Sequence, residues 1–389
     1  MAIENWVAQH VESLTAFRRD LHENPELLYD LPRTAATVAD ALRAAGVDEV
    51  VEGIGKTGVV GVIRGQTNTS GRTIGLRSDM DALPIVEATG KPWASKVEGK
   101  MHACGHDGHT AMLLGAARHL AESRAFDGTV IVIFQPAEEG GAGAKAMIDD
   151  GLFTRWPCNE VYGMHNRPNL PVGQFTIAPG PIMGSVDEIR ITIEGRGGHA
   201  ARPDSTIDSF PIAAALIQSI QTIVSRTVDP MDNAVVSLCT IHAGNAFNVI
   251  PQTIEMTGTV RTLREEVREH IEAQLASLVP SIAAGFGATA TLDYIRMYPV
   301  TVNHAHETDL AAAAAIEVAG EANVTLDMPP VLGGEDFSFM LNEVPGAMIN
   351  IGNGPSAGPH HPEYDFNDDV IAWGCSYWTT LVRQRLPAG

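Results

Sequence analysis

Apolar positions near the start of the chain fall at helical spacing. Val7, Val11, Leu14, Phe17 and Leu21 share one face, until Pro25, which lacks an N–H and cannot continue a helix. A second helix is expected from about Thr34, with Ala35, Val38 and Leu42 turned inward and Gly46 in the left-handed position after its end. Short continuous apolar runs follow at 59–63, 73–77, 129–134 and 161–164. Helical stretches at 106–122 and 142–149 separate several of them. Unbroken apolar strands alternating with helices predict an α/β layer whose mainly parallel sheet is covered on both faces.

Between about 184 and 296 the pattern changes. Ile189, Ile191 and Ile193 alternate with Arg190 and Thr192, the period-2 signature of a strand with one buried face. A helix with Phe210, Ala213, Ile217, Ile220 and Val224 follows, then the strands NAVVSLCTIHA and TIEMTGTVRT. In the second of these Ile254, Met256 and Val260 face one way. A helix carrying Val267, Ile271, Leu275 and Leu278 leads to ATATLDYI. The order βαββαβ is that of a small ferredoxin-like domain. From about 297 the α/β character resumes, with an alanine-rich helix at 308–319 and the strand AMINIG. The expected plan is a discontinuous catalytic domain over 1–183 and 297–389, interrupted by a satellite domain over 184–296.

Composition narrows the function classes. A chain of 389 residues, 44% hydrophobic and 19% charged, fits two globular domains. No apolar run approaches the ~18–20 residues of a membrane span. The opening MAIENWVAQH lacks the basic and apolar regions of a secretory signal. With 26 Lys+Arg against 47 Asp+Glu, the net charge of −21 argues against nucleic acid or an anionic membrane as partner. Four scattered cysteines do not make a disulfide framework, and a cytoplasmic home is expected.

The chemistry gathers where apolar strands end. Asp79 and Asp81 follow TIGLR, Glu138 and Glu139 follow TVIVIF, and His165 follows VYGM. In open α/β sheets that edge binds ligands. MHACGHDGHT sets Cys104, His106 and His109 at the mouth of a helix. A thiolate, imidazoles and carboxylates together suit a transition metal and not Mg²⁺ or Ca²⁺. Each element also has an ordinary reading. Adjacent glutamates are usually a solvated turn, a single cysteine a small buried hydrophobe, and His165 a satisfied core histidine. His361, in GPHHPEYDF, would ordinarily be exposed. From the residues alone the reading stops at a metal-dependent hydrolase.

The strings LRSDMDALPI, MHACGHDGHTAMLLGAA, FQPAEEGGAGAKAMIDDG and GMHNRP resemble the dinuclear metallo-amidohydrolases related to aminoacylase and the zinc carboxypeptidases. GRGGHAARP, NVIPQTIEMTGTVRT, GGEDFSFM and GPHHPEYDF extend the resemblance almost to the C-terminus. The branch is that of hippurate hydrolases, N-acetyl-diaminopimelate deacetylases and auxin–amino acid conjugate hydrolases. The resemblance implies that Cys104, His106, Glu139, His165 and His361 hold two divalent transition-metal ions, Zn or Mn, with Co or Ni as further options. Cys104 stands where the wider family has a bridging aspartate, and Asp79 where it has a ligand histidine. Glu138 matches the general base and Asp81 an aspartate that orients a ligand from behind. His199, Asn248 and Arg261 match satellite-domain residues that reach the substrate. A homodimer, or a tetramer built from dimers, is implied too.

The expected activity is hydrolysis of an N-acyl amino acid, hippurate-like or N-acetylated, to an acid and a free amino acid. Two divalent ions outweigh one thiolate and one carboxylate, so an anionic substrate can bind despite the global charge. Deacetylation of a biosynthetic N-acetyl amino acid and dipeptide hydrolysis are the alternatives within this class. A metal-free cysteine hydrolase built on Cys104, and a non-catalytic binding protein on the same fold, are alternatives outside it.

Overall fold

The computed structural model describes residues 3–389, which form two compact units. One takes in the chain up to Gly180, Val302–Pro329 and Asp336–Gly389; the other is Pro181–Thr301 with Pro330–Glu335. In chain order the first unit opens with helices α1 (Asn5–Glu23) and α2 (Pro32–Ala44) and strands β1 (Glu49–Ile54), β2 (Gly58–Arg64) and β3 (Thr73–Asp79). Helix α3 (His106–Ser123), β4 (Thr129–Gln135), α4 (Gly143–Asp149) and β5 (Glu160–Pro168) follow. The second unit supplies β6 (Val186–Glu194), α5 (Ser209–Thr227), β7 (Ala234–Ala243), β8 (Thr253–Thr262), α6 (Glu265–Gly285) and β9 (Thr289–Tyr298). The first unit resumes with α7 (Ala305–Ala319), α8 (Phe337–Glu343), β10 (Gly346–Gly354) and α9 (Val370–Arg385).

The large sheet runs β1-β2-β4-β3-β5-β10, with the short strands Phe175–Thr176 and Val324–Thr325 at its far edge. Its centre is parallel: β3 pairs with β4 and β5, and β5 with β10. The β1–β2 hairpin is antiparallel and joins β4 antiparallel at one side. Residues 130–135 of β4 and 74–79 of β3 are buried without a break, which is why these strands read as continuous apolar runs and not as alternations. Helix α3 is buried over most of its length, with Ala111, Met112, Leu113, Leu114, Ala116 and Ala117 all in the core. The parallel strands therefore end together, and the segments leaving β3, β4 and β5 emerge along one edge.

In the second unit the order β7-β8-β6-β9 is antiparallel throughout. With α5 and α6 it completes the βαββαβ plan. Ile189, Ile191, Ile193, Ile254, Met256 and Val260 form its core with Ile271 and Leu275. Helix α5 buries Ile212, Ala213, Leu216, Ile220 and Ile223. Phe210 and Ile217, expected on the core face, are exposed instead. The stretch FPIAAALIQSIQTIV is apolar on more than one face, so spacing alone places Ala213, Ile220 and Val224 correctly against the core but shifts the stripe onto Phe210 and Ile217. Among the described residues no helix is long and apolar enough to cross a membrane.

Candidate metal centre

Three strand ends and two loops of the first unit build the site. Past β3, Asp81 is buried and accepts hydrogen bonds from the backbone N–H of Glu138 (3.0 Å) and Glu139 (3.1 Å), one on each carboxylate oxygen. Burial pushes the Asp81 carboxyl above its ordinary value. Past β4 the chain turns through Ala137, whose φ of 54° is left-handed, a conformation costing an L-residue about 1–2 kcal/mol. Asp81 holds the glutamate turn in place. Past the loop that ends at Cys104, Gly105 (φ 94°) opens helix α3 directly into His106.

The donor atoms converge. Cys104, His106 and His165 present ligand atoms within 4.8 Å of one another, and so do Cys104, Glu139 and His360, and His106, Glu138 and Glu139. Cys104 is common to the first two groups, and its Sγ lies 3.3 Å from His165 Nε2. His165 Nδ1–H donates to its neighbour's carbonyl, Asn166 O (2.7 Å). With the proton on Nδ1, the Nε2 lone pair faces Cys104.

The electrostatics describe a site short of positive charge. Burial pushes the Cys104 thiol up to about 12, with Glu139 adding to the rise. Burial also lowers His165 to about 3, helped by His109, so its ring is neutral and able to coordinate. At His106 burial opposes charge, but Asp79 and Asp81 outweigh it and hold the ring well above its ordinary value. Both ring nitrogens of His106 are buried without a hydrogen-bond partner, and Glu139 Oε1 faces the His360 ring. Buried polar atoms in that state are costly. Soft and hard donors around them fit divalent transition-metal ions, and Cys104 shared between two groups fits a pair of ions.

The sequence-expected residues divide between the units. Glu138, Glu139, Asp81, Cys104, His106 and His165 come together in the first. His361 does not join them. It is exposed, and its Nδ1 accepts from the backbone N–H of Glu363 (3.1 Å). Its neighbour His360 lies 3.2 Å from Glu139 Oε1 and is raised above its ordinary value by that contact. The reason is backbone geometry: His360 N–H donates to Ala103 O (2.8 Å), and its left-handed φ of 64° turns consecutive side chains apart. The adjacent histidine is therefore the one beside the cluster. Asp79 accepts from Arg77 (2.7 Å), is paired with His109 Nδ1 (2.6 Å) and has Oδ2 3.7 Å from His106 Nε2, so it borders the cluster with His106 and His109. Burial raises its carboxyl, but His106, Arg77 and His109 outweigh that and depress it well below the usual range.

His199, Asn248 and Arg261 belong to the second unit. Gly198–His199 pairs with Val249–Ile250 as a short ribbon, and Ala200 N–H donates to Asn248 O (3.1 Å), so His199 and Asn248 lie together. Both are exposed. His199 Nδ1 accepts from Ala201 N–H (3.1 Å). Arg261, half-buried on β8, donates to Val260 O (3.0 Å) and to Thr259 Oγ1.

A fold of this topology, with donors for two metal ions at the carboxyl edge of its parallel sheet, defines a metallohydrolase. Residues 75–384 match the profile of the peptidase family M20/M25/M40, and the chain belongs to that family. It is 42% identical over 369 residues to a hippurate hydrolase of Campylobacter jejuni, covering 95% of each chain. It is 39% identical to an N-acetylcysteine deacetylase of Bacillus subtilis, covering 95% of this chain and 96% of that one. A crystal structure of a dinuclear metal-binding M20 peptidase from Bacillus subtilis superposes with a TM-score of 0.85 at 35% identity, covering 98% of this chain and all of the other. The chain is a metal-dependent amidohydrolase.

Proposed function

We propose that this protein hydrolyses N-acyl amino acids to a carboxylic acid and a free amino acid, using two divalent ions held by Cys104, His106, Glu139, His165 and His360. The observation that carries the reading is the convergence of these five donors in overlapping groups around the buried His106 ring, whose nitrogens make no hydrogen bond, beside Glu138. Names of relatives, a hippurate hydrolase and an N-acetylcysteine deacetylase among them, support the substrate class.

Two ions held by these residues would supply Lewis-acid polarisation of the scissile carbonyl and would lower the pKa of a bound water to about 7. Glu138 takes the proton from the attacking water and delivers it to the leaving amine nitrogen. Glu139 is unavailable for this while it coordinates. Asp81 keeps the two apart in role by fixing both backbone N–H groups of the turn. His199 donates to the developing oxyanion, Asn248 reaches the substrate, and Arg261 pairs with the substrate carboxylate in a bidentate fork. Zn²⁺ is favoured by the thiolate and imidazoles, with Mn²⁺ the leading alternative and Co²⁺ or Ni²⁺ also accommodated. The working form is a homodimer joined through the second unit, in keeping with the exposed Phe210 and Ile217 of α5 and Ile241 of edge strand β7. We place it in the cytoplasm, as its four free cysteines suggest.

The Cys104–His165 approach of 3.3 Å resembles a thiol–imidazole dyad and favours one competing reading, a metal-free cysteine hydrolase. Burial drives the two groups the wrong way for it, the thiol up and the imidazole down. The test is a panel of N-acetyl, N-benzoyl and indole-acyl amino acids assayed on metal-loaded protein, with and without EDTA. Hydrolysis lost to EDTA and restored by metal is expected. Activity that survives full chelation would establish the thiol reading, and a loaded enzyme inert on the whole panel would overturn the substrate class.

A further inference from the structure

We propose that Asn166 is a positioning residue that ties the three ligand-bearing segments of the metal centre into one rigid unit; the inference rests on the ligand set given above. Asn166 is 2% exposed and directly follows His165 on β5. It touches each segment by a different atom. Its carbonyl oxygen is 2.7 Å from His165 Nδ1 and so sets that ring's orientation and tautomer. Its side-chain Nδ2 donates to the Tyr364 hydroxyl (2.5 Å), four residues beyond His360 on the same loop. Tyr364 N–H in turn donates to His361 O (2.9 Å), which closes the turn 361–364 that begins directly after His360.

The third segment is Cys104–Gly105–His106. A methyl group on Gly105 would come within 2.4 Å of both Asn166 Oδ1 and Tyr364 Oη. The glycine therefore lets the turn lie directly against the Asn166–Tyr364 bond, with a ligand on either side of it. Behind Asn166 stands His109. Its Nε2 lies 2.7 Å from Asn166 Oδ1 and 3.0 Å from Asn166 N, while its Nδ1 is paired with Asp79 at the end of β3. Asp79, besides lying 3.7 Å from His106 Nε2, is thus also linked to the His165 and His360 segments through His109 and Asn166. Outer partners of this kind fix ligand direction, and losing one typically weakens metal binding about 10–100-fold.

The test titrates metal-free protein with Co²⁺ and follows affinity together with the thiolate-to-cobalt absorption. Wild type should bind two ions with that band, and Cys104→Ala should lose the band; a wild type without it would refute the ligand set and not the role of Asn166. Asn166→Ala should then bind Co²⁺ about 10–100-fold more weakly and show a shifted spectrum even at saturation. Tyr364→Phe, which removes one hydroxyl and keeps the ring in the core, should weaken binding by less. The double variant should be no weaker than Asn166→Ala, because the two changes remove the same bond. Circular dichroism and melting of the metal-free proteins provide the control. A lowered melting temperature with wild-type cobalt affinity and spectrum would make Asn166 a packing residue only and overturn the proposal. Should Asn166→Ala fail to fold, Tyr364→Phe decides alone: unchanged affinity and spectrum overturn the link, and a loss of both supports it.

Discussion

His360 and His361 are both exposed, but their rings face different groups. The first faces the Glu139 carboxylate, and the second turns out to solvent with its ring on a local backbone N–H. If His360 is the ligand, His360→Ala should lower metal affinity by more than the roughly 10–100-fold of a lost supporting partner. His361→Ala should leave metal content unchanged, and both are read by metal analysis after dialysis. The reverse result would restore His361. At the neighbouring turn, Glu138→Gln should keep its metal while kcat falls ~10²–10⁴-fold, because the amide cannot accept the proton. Metal lost in step with activity would make Glu138 a ligand. These residues also mark how far single positions are legible in the sequence. Cys-x-His at a helix mouth and a Glu pair after a buried strand break ordinary patterning, so they stand out. An HH pair in a loop has no periodicity, and the choice between its members depends on one left-handed φ. Asn166 and Tyr364 carry no motif at all, since their work is hydrogen bonding between segments 198 residues apart.

Between elements, α1 reaches the metal-bearing helix through charge. Arg18 and His22 of α1 both meet Asp107 of α3, at 2.9 and 2.8 Å, and all three are buried. Burial opposes ionisation of Asp107, but Arg18 and His22 outweigh it and hold the carboxyl far below its usual range. Burial likewise opposes charge on His22, and Asp107 and Glu87 reverse it, leaving the ring raised. The signs are opposite in pH. The Asp107 contribution is present above ~4 and is lost as acid protonates it. The His22 contribution is full below ~6.5 and fades as pH rises through its raised folded value. In metal-free protein His22→Gln should therefore cost about 1.5–3 kcal/mol at pH 6, and the gap from wild type should narrow by pH 9. Urea denaturation at the two pH values measures it, and equal gaps would show that the bond does not depend on charge. The elements themselves were largely legible, because period 2 and unbroken apolar runs report strand burial directly. Helix α5 was less so: apolar on several sides, it offers two stripes, and only packing against the sheet selects Ile212, Leu216 and Ile223 over Phe210 and Ile217.

At the scale of the whole molecule, the residues proposed to act on one substrate lie in two separate units. The metal donors and Glu138 belong to the first, and His199 and Asn248 sit exposed on a short ribbon of the second. His199 uses Nδ1 for the backbone of its own turn, which directs Nε2 outward as a donor. In a homodimer joined through the second unit, that donor can serve the partner's metal centre. The local alternative is that His199 only caps its glycine turn, in which case its loss lowers stability and leaves rate nearly intact. Mixing separates the two. Glu138→Ala and His199→Ala should each be nearly inactive alone, the latter by ~10²–10³-fold as for one oxyanion donor. After dissociation and joint reassociation, a mixed dimer holds one chain with its own Glu138 that receives His199 from the other chain. Its second site lacks both groups. Equal random pairing makes half the dimers mixed, and each recovers one site of two, so activity should return to about a quarter of wild type. Verified subunit exchange without recovery would confine His199 to its own chain.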